Sequence, residues 1–208
     1  MKKLMVAALA ALTLGFAVET KAESESSWKW SPLGLGLVTP AQLPFVENDI
    51  YGLRLDVILG WNENVYGIDC GLANVANGSE FAIQAGAFNV VWGDCAGIQA
   101  GVINYDASLV RGLQLGVANW NELSVYGIQA AAVNVDQRSV EGIALGGINF
   151  SGAVRGAQIG VINLADDVLG IQIGLVNACE RMQGIQIGAL NLISESNLPC
   201  MVFLNAWF

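Results

Sequence analysis

The sequence predicts an all-β fold, and we expect a closed antiparallel β-barrel of about twelve short strands built from repeats of 14 or 15 residues. The unit Gly-Ile-Gln-Ile-Gly-x-x-Asn occupies Gly170 to Asn177 and returns at Gly184 to Asn191. Its asparagine recurs at a spacing of 15 five times and then 14 four times. The mean hydropathy is +0.51, yet after residue 22 no apolar run is long enough for a membrane helix. The repeated asparagines are Asn74, Asn89, Asn104, Asn119, Asn134, Asn149, Asn163, Asn177, Asn191 and Asn205.

Residues 1–22 are typical of a secretory signal peptide. Lys2 and Lys3 precede an apolar stretch from Leu4 to Val18, and small residues end at Ala22. Residues 23–32 follow as a polar leader, and residues 33–208 are predicted to form a single repeat-built β domain. We therefore expect an exported protein of the bacterial cell envelope, at the outer membrane or surface rather than free in the periplasm.

Composition excludes several classes of function. The formal net charge is −9, and the few arginines are scattered singly, so nucleic acid is not expected as a partner. The chain has no histidine, which removes catalytic triads, imidazole bases and the commonest metal ligand. We expect no enzyme activity, no cofactor and no metal site.

The strands follow in order along the chain. Leu33 to Thr39 is the first predicted strand, and residues 40–49, with two prolines, form an irregular link. Tyr51 to Leu59 is a degenerate copy of the repeat, in which Asp56 replaces the second glycine and Leu59 replaces the asparagine. Ten copies ending in asparagine complete the predicted twelve strands.

Within each copy the first glycine is numbered position 3 and the asparagine position 10. Position 1 is usually valine, positions 4, 6 and 8 are aliphatic or alanine, position 5 is mostly glutamine and position 7 is mostly glycine. Charges fall at positions 12 to 15 and at position 2. Valine and isoleucine favour strands, whereas two glycines in eight residues would each cost a helix about 1 kcal/mol.

The barrel model places positions 3, 5, 7, 9 and 11 on the lumen side, because side chains alternate along a strand. Glutamines at position 5 would then form a belt that contacts a ligand or water. These predicted lumen-lining residues are Gln84, Gln99, Gln114, Gln129, Gln158, Gln172 and Gln186. The asparagines are predicted to be structural, closing each strand through bonds to the turn backbone.

The alternative is a parallel β-solenoid with one copy per coil. Glycines at positions 3 and 7 would turn corners, positions 1, 4, 6, 9 and 11 would point inward, and the amides would stack in ladders. Solenoids need polar caps at their ends, and residues 198–208 are apolar throughout. The missing cap favours the barrel, whose closure would remove the exposed edge.

Aromatic residues fall at positions 2 and 11 and just beyond. In a meander of antiparallel strands these positions would mark both rims of the barrel, as interfacial girdles do. The predicted membrane-interface residues are Trp61, Trp92, Trp120, Trp207, Tyr66 and Tyr126. The four cysteines have neither metal-site spacing nor histidine partners, so they are interpreted as small strand residues, with one disulfide allowed.

The repeat at Gly170 to Asn177 and Gly184 to Asn191 resembles that of uncharacterised bacterial surface-repeat proteins, and it is similar to sequences assigned to the β-flower architecture, a shallow barrel with an apolar conduit. The resemblance covers about residues 50–208 and brings no known activity. It implies, by analogy with a lipid-associated barrel, a membrane lipid or apolar small molecule as partner.

Together these observations predict a non-enzymatic, envelope-associated repeat barrel that is structural or binds lipid or another apolar ligand. A secreted β-solenoid acting as a surface-interaction module is the alternative, and a small outer-membrane pore is a weaker one.

Overall fold

Successive copies of the repeat lie on one another as parallel strands, so the fold is a β-solenoid. A computed structural model describes residues 29–39, 41–197 and 199–207. Gly67 pairs with Gly52, and Asn89 pairs with Asn74 and Asn104 in parallel register. The predicted barrel is therefore wrong and the alternative is confirmed. Each repeat is one coil, because identical side chains one period apart can then hydrogen-bond to each other.

Eleven strands form one sheet that winds around the solenoid. All neighbours from β3 to β10 are parallel, and the long β9 includes several coils without interruption. The strands are β1 Trp30–Val38, β2 Ala41–Leu43, β3 Asp49–Asn62, β4 Val65–Ala76, β5 Glu80–Val91, β6 Cys95–Asp106, β7 Val110–Leu115, β8 Ala118–Asn121, β9 Ser124–Ile173, β10 Val176–Ile193 and β11 Cys200–Trp207.

The glycine at position 3 turns a corner of the coil. Nine such glycines have positive φ angles between 130° and 149°, a region that side chains rarely adopt. A Cβ atom on Gly127 would also collide with the backbone carbonyl of Gly112 in the preceding coil. The repeat therefore keeps glycine here because both the backbone angle and the close approach of the next coil require it.

The glycine at position 7 makes room for the asparagine at position 10. A Cβ atom on Gly86 would collide with the amides of Asn74 and Asn89. In the first coil the arrangement is reversed, since Asp56 occupies position 7 and Gly60 pairs with Asn74. The prediction that Leu59 replaces the asparagine is thus wrong by one residue, because an extra residue shifts the register between Asp56 and Leu59.

Short strands cover both ends of the solenoid. At the first coil, β1 pairs in parallel with β3 and β2 pairs antiparallel with β1. At the last coil, β11 runs antiparallel to β10. The C-terminal segment thus caps the solenoid with a strand, so its apolar composition did not exclude this fold. Strands β1 and β11, which barrel closure would have paired, lie at opposite ends of the strand order.

The predicted signal peptide, residues 1–22, and most of the predicted leader, residues 23–32, lie outside the described residues. Strand β1 begins at Trp30, three residues before the predicted first strand. Among the described residues, no helix is long and apolar enough to cross a membrane.

Candidate functional site: an apolar surface around a polar interior

Four columns of side chains fill the interior of the solenoid, at positions 1, 5, 10 and 12 of each coil. In the coil that begins at Val110 these are Val110, Gln114, Asn119 and Asn121, all buried. Position 1 is predicted correctly as an inward position of a solenoid. Positions 4, 6, 9 and 11, also predicted to point inward, face outward instead. The chain therefore buries amides and exposes aliphatic side chains, the reverse of an ordinary soluble domain.

The asparagines form an unbroken ladder through nine coils. Each side-chain Nδ2 donates to Oδ1 of the next asparagine at 2.8–3.0 Å. Most also donate to the backbone carbonyl at position 6 of the next coil, as Asn104 does to Leu115 at 2.8 Å. Asn205, counted in the same series, belongs elsewhere, because β11 runs antiparallel and pairs it with Gln186.

The glutamines form a second ladder and line no lumen. Gln114 donates to Gln99, which donates to Gln84, at 2.8 and 2.9 Å. Gln186 and Gln172 continue the pattern near the other end, each donating at 2.8 Å. All seven predicted lumen residues have at most 1% of their surface exposed, so the prediction that they meet a ligand or water is wrong. They bond to one another or to other buried side chains, as Gln129 does to Asp136 and Gln158 does to Ser151.

Ala144 interrupts the glutamine column. Hydrogen bonds among the side chains at position 12 connect the glutamines on its two sides. Asn121 contacts both Gln129 and Asp136, at 3.3 and 2.8 Å. Ser151 donates to Asp136 at 3.3 Å, and Gln158 donates to Ser151 at 3.0 Å. One buried hydrogen-bond chain therefore connects the first coils to the last.

An ionic cluster replaces amides in the first three coils. Arg54 donates through both Nε and Nη2 to the Asp69 carboxylate, at 2.6 Å from Nε, and its Nε lies 3.6 Å from Asp56. Gln84 donates to Asp69 at 3.1 Å and also to Glu80. Sequence reasoning missed this cluster, although the signal was present: Arg54 and Asp69 occupy glutamine positions, and Glu80 occupies a valine position.

Burial and the neighbouring charges shift the pKa values of Arg54, Asp56 and Glu80 in this cluster. Burial alone would lower the pKa of Arg54, but pairing with Asp69 and attraction to Glu80 and Asp56 raise it above its usual value. Burial, and then repulsion by Asp69, raise the pKa of Glu80 well above the ordinary range. Burial also raises the pKa of Asp56, against the attraction of Arg54. The cluster thus favours the protonated form of Glu80 beside the Arg54–Asp69 ion pair.

Two further carboxyl groups lie alone in the interior. Burial raises the pKa of Asp106 to about 7, although Gln99, Cys95 and Gln114 donate hydrogen bonds to it. Burial raises the pKa of Asp136 to about 6, against donors that include Asn121 and Gln129. The charge pattern predicts position 12, which both residues occupy, to be part of an exposed turn. It faces inward instead, because side chains alternate along a strand and the asparagine at position 10 already points inward.

The outer surface at positions 4, 6, 8 and 9 is apolar along every coil. These four rows, termed the apolar surface, contain no charged residue and no polar side chain besides the Cys70 thiol. Val57, Leu175 and Val161 in row 8 are 67%, 61% and 51% exposed. Leu33 and Leu35 of β1 extend rows 4 and 6, as do Ala206 and Leu204 of β11. At about 4.8 Å per strand, the apolar surface is roughly 50 Å long.

Aromatic side chains lie along both borders of the apolar surface. Position 2 forms one border, where the rings of Tyr51 and Tyr66 stack with centroids 4.6 Å apart and Phe81 stacks next at 5.6 Å. Position 11 and the neighbouring position 13 form the other. In place of two rims of a barrel, the predicted interface residues thus lie on lines parallel to the solenoid axis. Position 2 holds Tyr66 and Tyr126, positions 11 and 13 hold Trp61, Trp120 and Trp92, and Trp207 is in β11.

Charged residues outside the interior gather on the remaining side, at positions 13 to 15 and in some coils at position 2. Arg181 binds the Asp167 carboxylate through two nitrogens, at 2.5 and 2.6 Å. Tyr105, at position 11, donates its hydroxyl to Glu122 at 2.8 Å. The phenol therefore points its polar end toward the charged side and its ring toward the apolar surface.

A groove of about 960 Å³ opens on the surface of the described residues. It lies at the start of the apolar surface, where β1 and β2 meet rows 6 and 8, and its lining includes Leu37, Leu43, Val57 and Leu72. All four cysteines have free thiols. The described residues contain no group of three or more histidine, cysteine, aspartate or glutamate side chains that could hold a metal ion.

No protein-family model matches the chain, and no curated protein or solved structure matches it.

Proposed function

We propose that this chain is an exported, non-enzymatic interaction module that binds an apolar partner through its apolar surface. One observation carries the proposal: four outward rows over ten coils contain no charged residue. Single soluble domains rarely expose a continuous apolar patch larger than a few hundred Å². A surface of this length favours a covered state over free exposure to water.

The interior supports a scaffold role. Its amide groups and most of its ionisable groups are hydrogen-bonded within the interior, and among the buried polar side chains only Asp56 and Gln42 line the groove. Gln42 is already bonded to the backbone of Trp61. Reacting groups need access to substrate, so we propose that the buried polar network holds the coils in register and performs no chemistry. The proposal of export rests on residues 1–22, which are typical of a signal peptide.

Binding to an alkyl surface tests the proposal. We would compare retention of the full chain on octyl-agarose with that of two variants in one coil. Ala132→Glu adds a charge to row 8, whereas Gln137→Glu adds the same charge at position 13, and both residues are exposed. We expect strong retention of the native chain and Gln137→Glu and weak retention of Ala132→Glu. Passage of the native chain through the column as a monomer would overturn the proposal.

A further inference from the structure

We infer that the partner of the apolar surface is a lipid bilayer, on which the solenoid lies lengthwise with the aromatic borders at the headgroups and the charged side in water. This inference rests on the proposed function and adds the identity of the partner. It comes from how three kinds of residue are ordered around each coil.

The backbone of the apolar surface suits hydrocarbon. In a bilayer every backbone N–H and C=O must be bonded within the protein. Each inner coil is paired on both sides, as β5 is with β4 and β6 over most of its length, so most backbone groups of the faces are bonded within the protein. Only the two ends present strand edges, and β2 and β11 cover part of them.

The order of side chains around a coil matches the layers of a bilayer surface. Aliphatic rows 4, 6, 8 and 9 come first, and aromatic residues flank them at position 2 in four coils and at position 11 in four coils. Charges lie beyond at positions 13 to 15, and three coils place a charge at position 2 itself, at Arg111, Glu141 and Arg155. Tryptophan and tyrosine concentrate at the level of the headgroups. A protein partner would not need aromatic residues on both borders, so their presence favours a bilayer. The Tyr105 hydroxyl donates to Glu122 at position 13, on the charged side of the coil.

The charges indicate which lipids are preferred. On the charged side, acidic residues outnumber arginines, with Asp166, Asp167 and Glu180 beside Arg181 in adjoining positions. Anionic headgroups would therefore repel this side, whereas zwitterionic headgroups would not. We expect binding to phosphatidylcholine that is driven by the apolar surface and insensitive to salt, and weaker binding to phosphatidylglycerol, where salt screens the repulsion.

Vesicle flotation of the full chain tests the inference. We expect the native chain and Gln137→Glu to float with phosphatidylcholine vesicles, and Ala132→Glu to lose about tenfold or more of its bound fraction, because a charge in hydrocarbon is costly. Val161→Glu, also in row 8, repeats the test in a second coil, and circular dichroism establishes that each variant is folded. Bromines near the headgroup end of the acyl chains should quench tryptophan fluorescence more than bromines near the methyl end.

Each result decides between the two proposals. Retention on octyl-agarose without flotation overturns the bilayer as partner and leaves the apolar interaction module standing. Flotation of both row 8 variants at the native level also overturns the inference, because lipid would then bind elsewhere. Failure of the native chain in both assays overturns both proposals.

Discussion

The coils of residues 50–139, each 15 residues long, and those of residues 140–195, each 14 long, share a backbone plan but differ in what they bury. The first set buries Arg54, Asp56, Asp69, Glu80, Asp106 and Asp136, whereas the second buries no carboxylate or guanidinium. At position 12 the second set has Ser151, Ala165, Cys179 and Ile193. Since the asparagine ladder crosses both sets, it specifies the stacking of coils, and the other columns tolerate different chemistry.

Among the changes that test this difference between the two sets of coils, removal of Arg54 should lower the free energy of unfolding most. Arg54→Met leaves Asp69 and its acidic neighbours buried without a cation, and we expect a loss of up to about 5 kcal/mol in the free energy of unfolding. Arg155→Met is the matched control, because Arg155 forms only an exposed ion pair with Glu141 and should cost at most about 1 kcal/mol. Urea unfolding measures both, and equal costs would contradict a structural role for the cluster.

The two sets of coils should respond differently to pH. The folded pKa values of Asp106 and Asp136, about 7 and about 6, exceed the value of about 4 for an unfolded aspartate. The folded state then binds more protons than the unfolded state. The stability that these two protonated aspartates contribute is therefore complete below pH 4 and is lost as pH rises to about 7. At about 1.4 kcal/mol per pKa unit, these two aspartates together should lower the free energy of unfolding by about 4 kcal/mol from pH 5 to pH 8.

Hydrogen exchange can show which coils lose stability as pH rises. Each coil contacts only its neighbours, so the loss should stay near the ionising residues. Between pH 5 and pH 8, protection factors corrected for intrinsic exchange should fall in residues 95–139 and remain steady in residues 154–193. The double variant Asp106→Asn, Asp136→Asn should remove the difference. A uniform loss across all coils would argue against local ionisation as its cause.

Breaking the asparagine ladder should cost the same in both sets. Asn163→Ala removes one hydrogen bond each from the Asn149 amide nitrogen, the Asn177 amide oxygen and the Ile173 carbonyl, and Asn104→Ala does the same among 15-residue coils. We expect each variant to lose about 2–3 kcal/mol in the free energy of unfolding, since unsatisfied buried polar groups cost about 1–3 kcal/mol. Unequal unfolding free energies would mean that the ladder is not a common element.

The smallest effect is expected at the boundary between the two sets. Ala144→Gln would restore the glutamine column between Gln129 and Gln158, and we expect a change of less than about 1 kcal/mol, because the hydrogen bonds through Asp136 and Ser151 already satisfy the neighbours. Ala144→Leu, of similar size without the amide, is the control. A thermal midpoint lower for glutamine than for leucine would show that the column is not amide-specific.

The sequence by itself determined the repeat, the strand class and the limits of each coil. Glycine, glutamine and asparagine at constant spacing defined the repeat, and Gly170 to Asn177 contains enough glycine and β-branched residues to exclude a helix. The absence of histidine restricted the chemistry. These properties are local, so they can be read from composition and period.

Only the tertiary structure decided which neighbour each strand has. A period of 14 or 15 residues fits one antiparallel strand with its turn or one parallel coil, and alternation alone assigned the glutamines to a lumen. The coil has corners, at Gly127 for example, that reset the alternation, so positions 1, 5, 10 and 12 point inward together. That geometry buried Asp106 and capped the last coil with β11, because pairing between distant strands, not local pattern, determines what faces water.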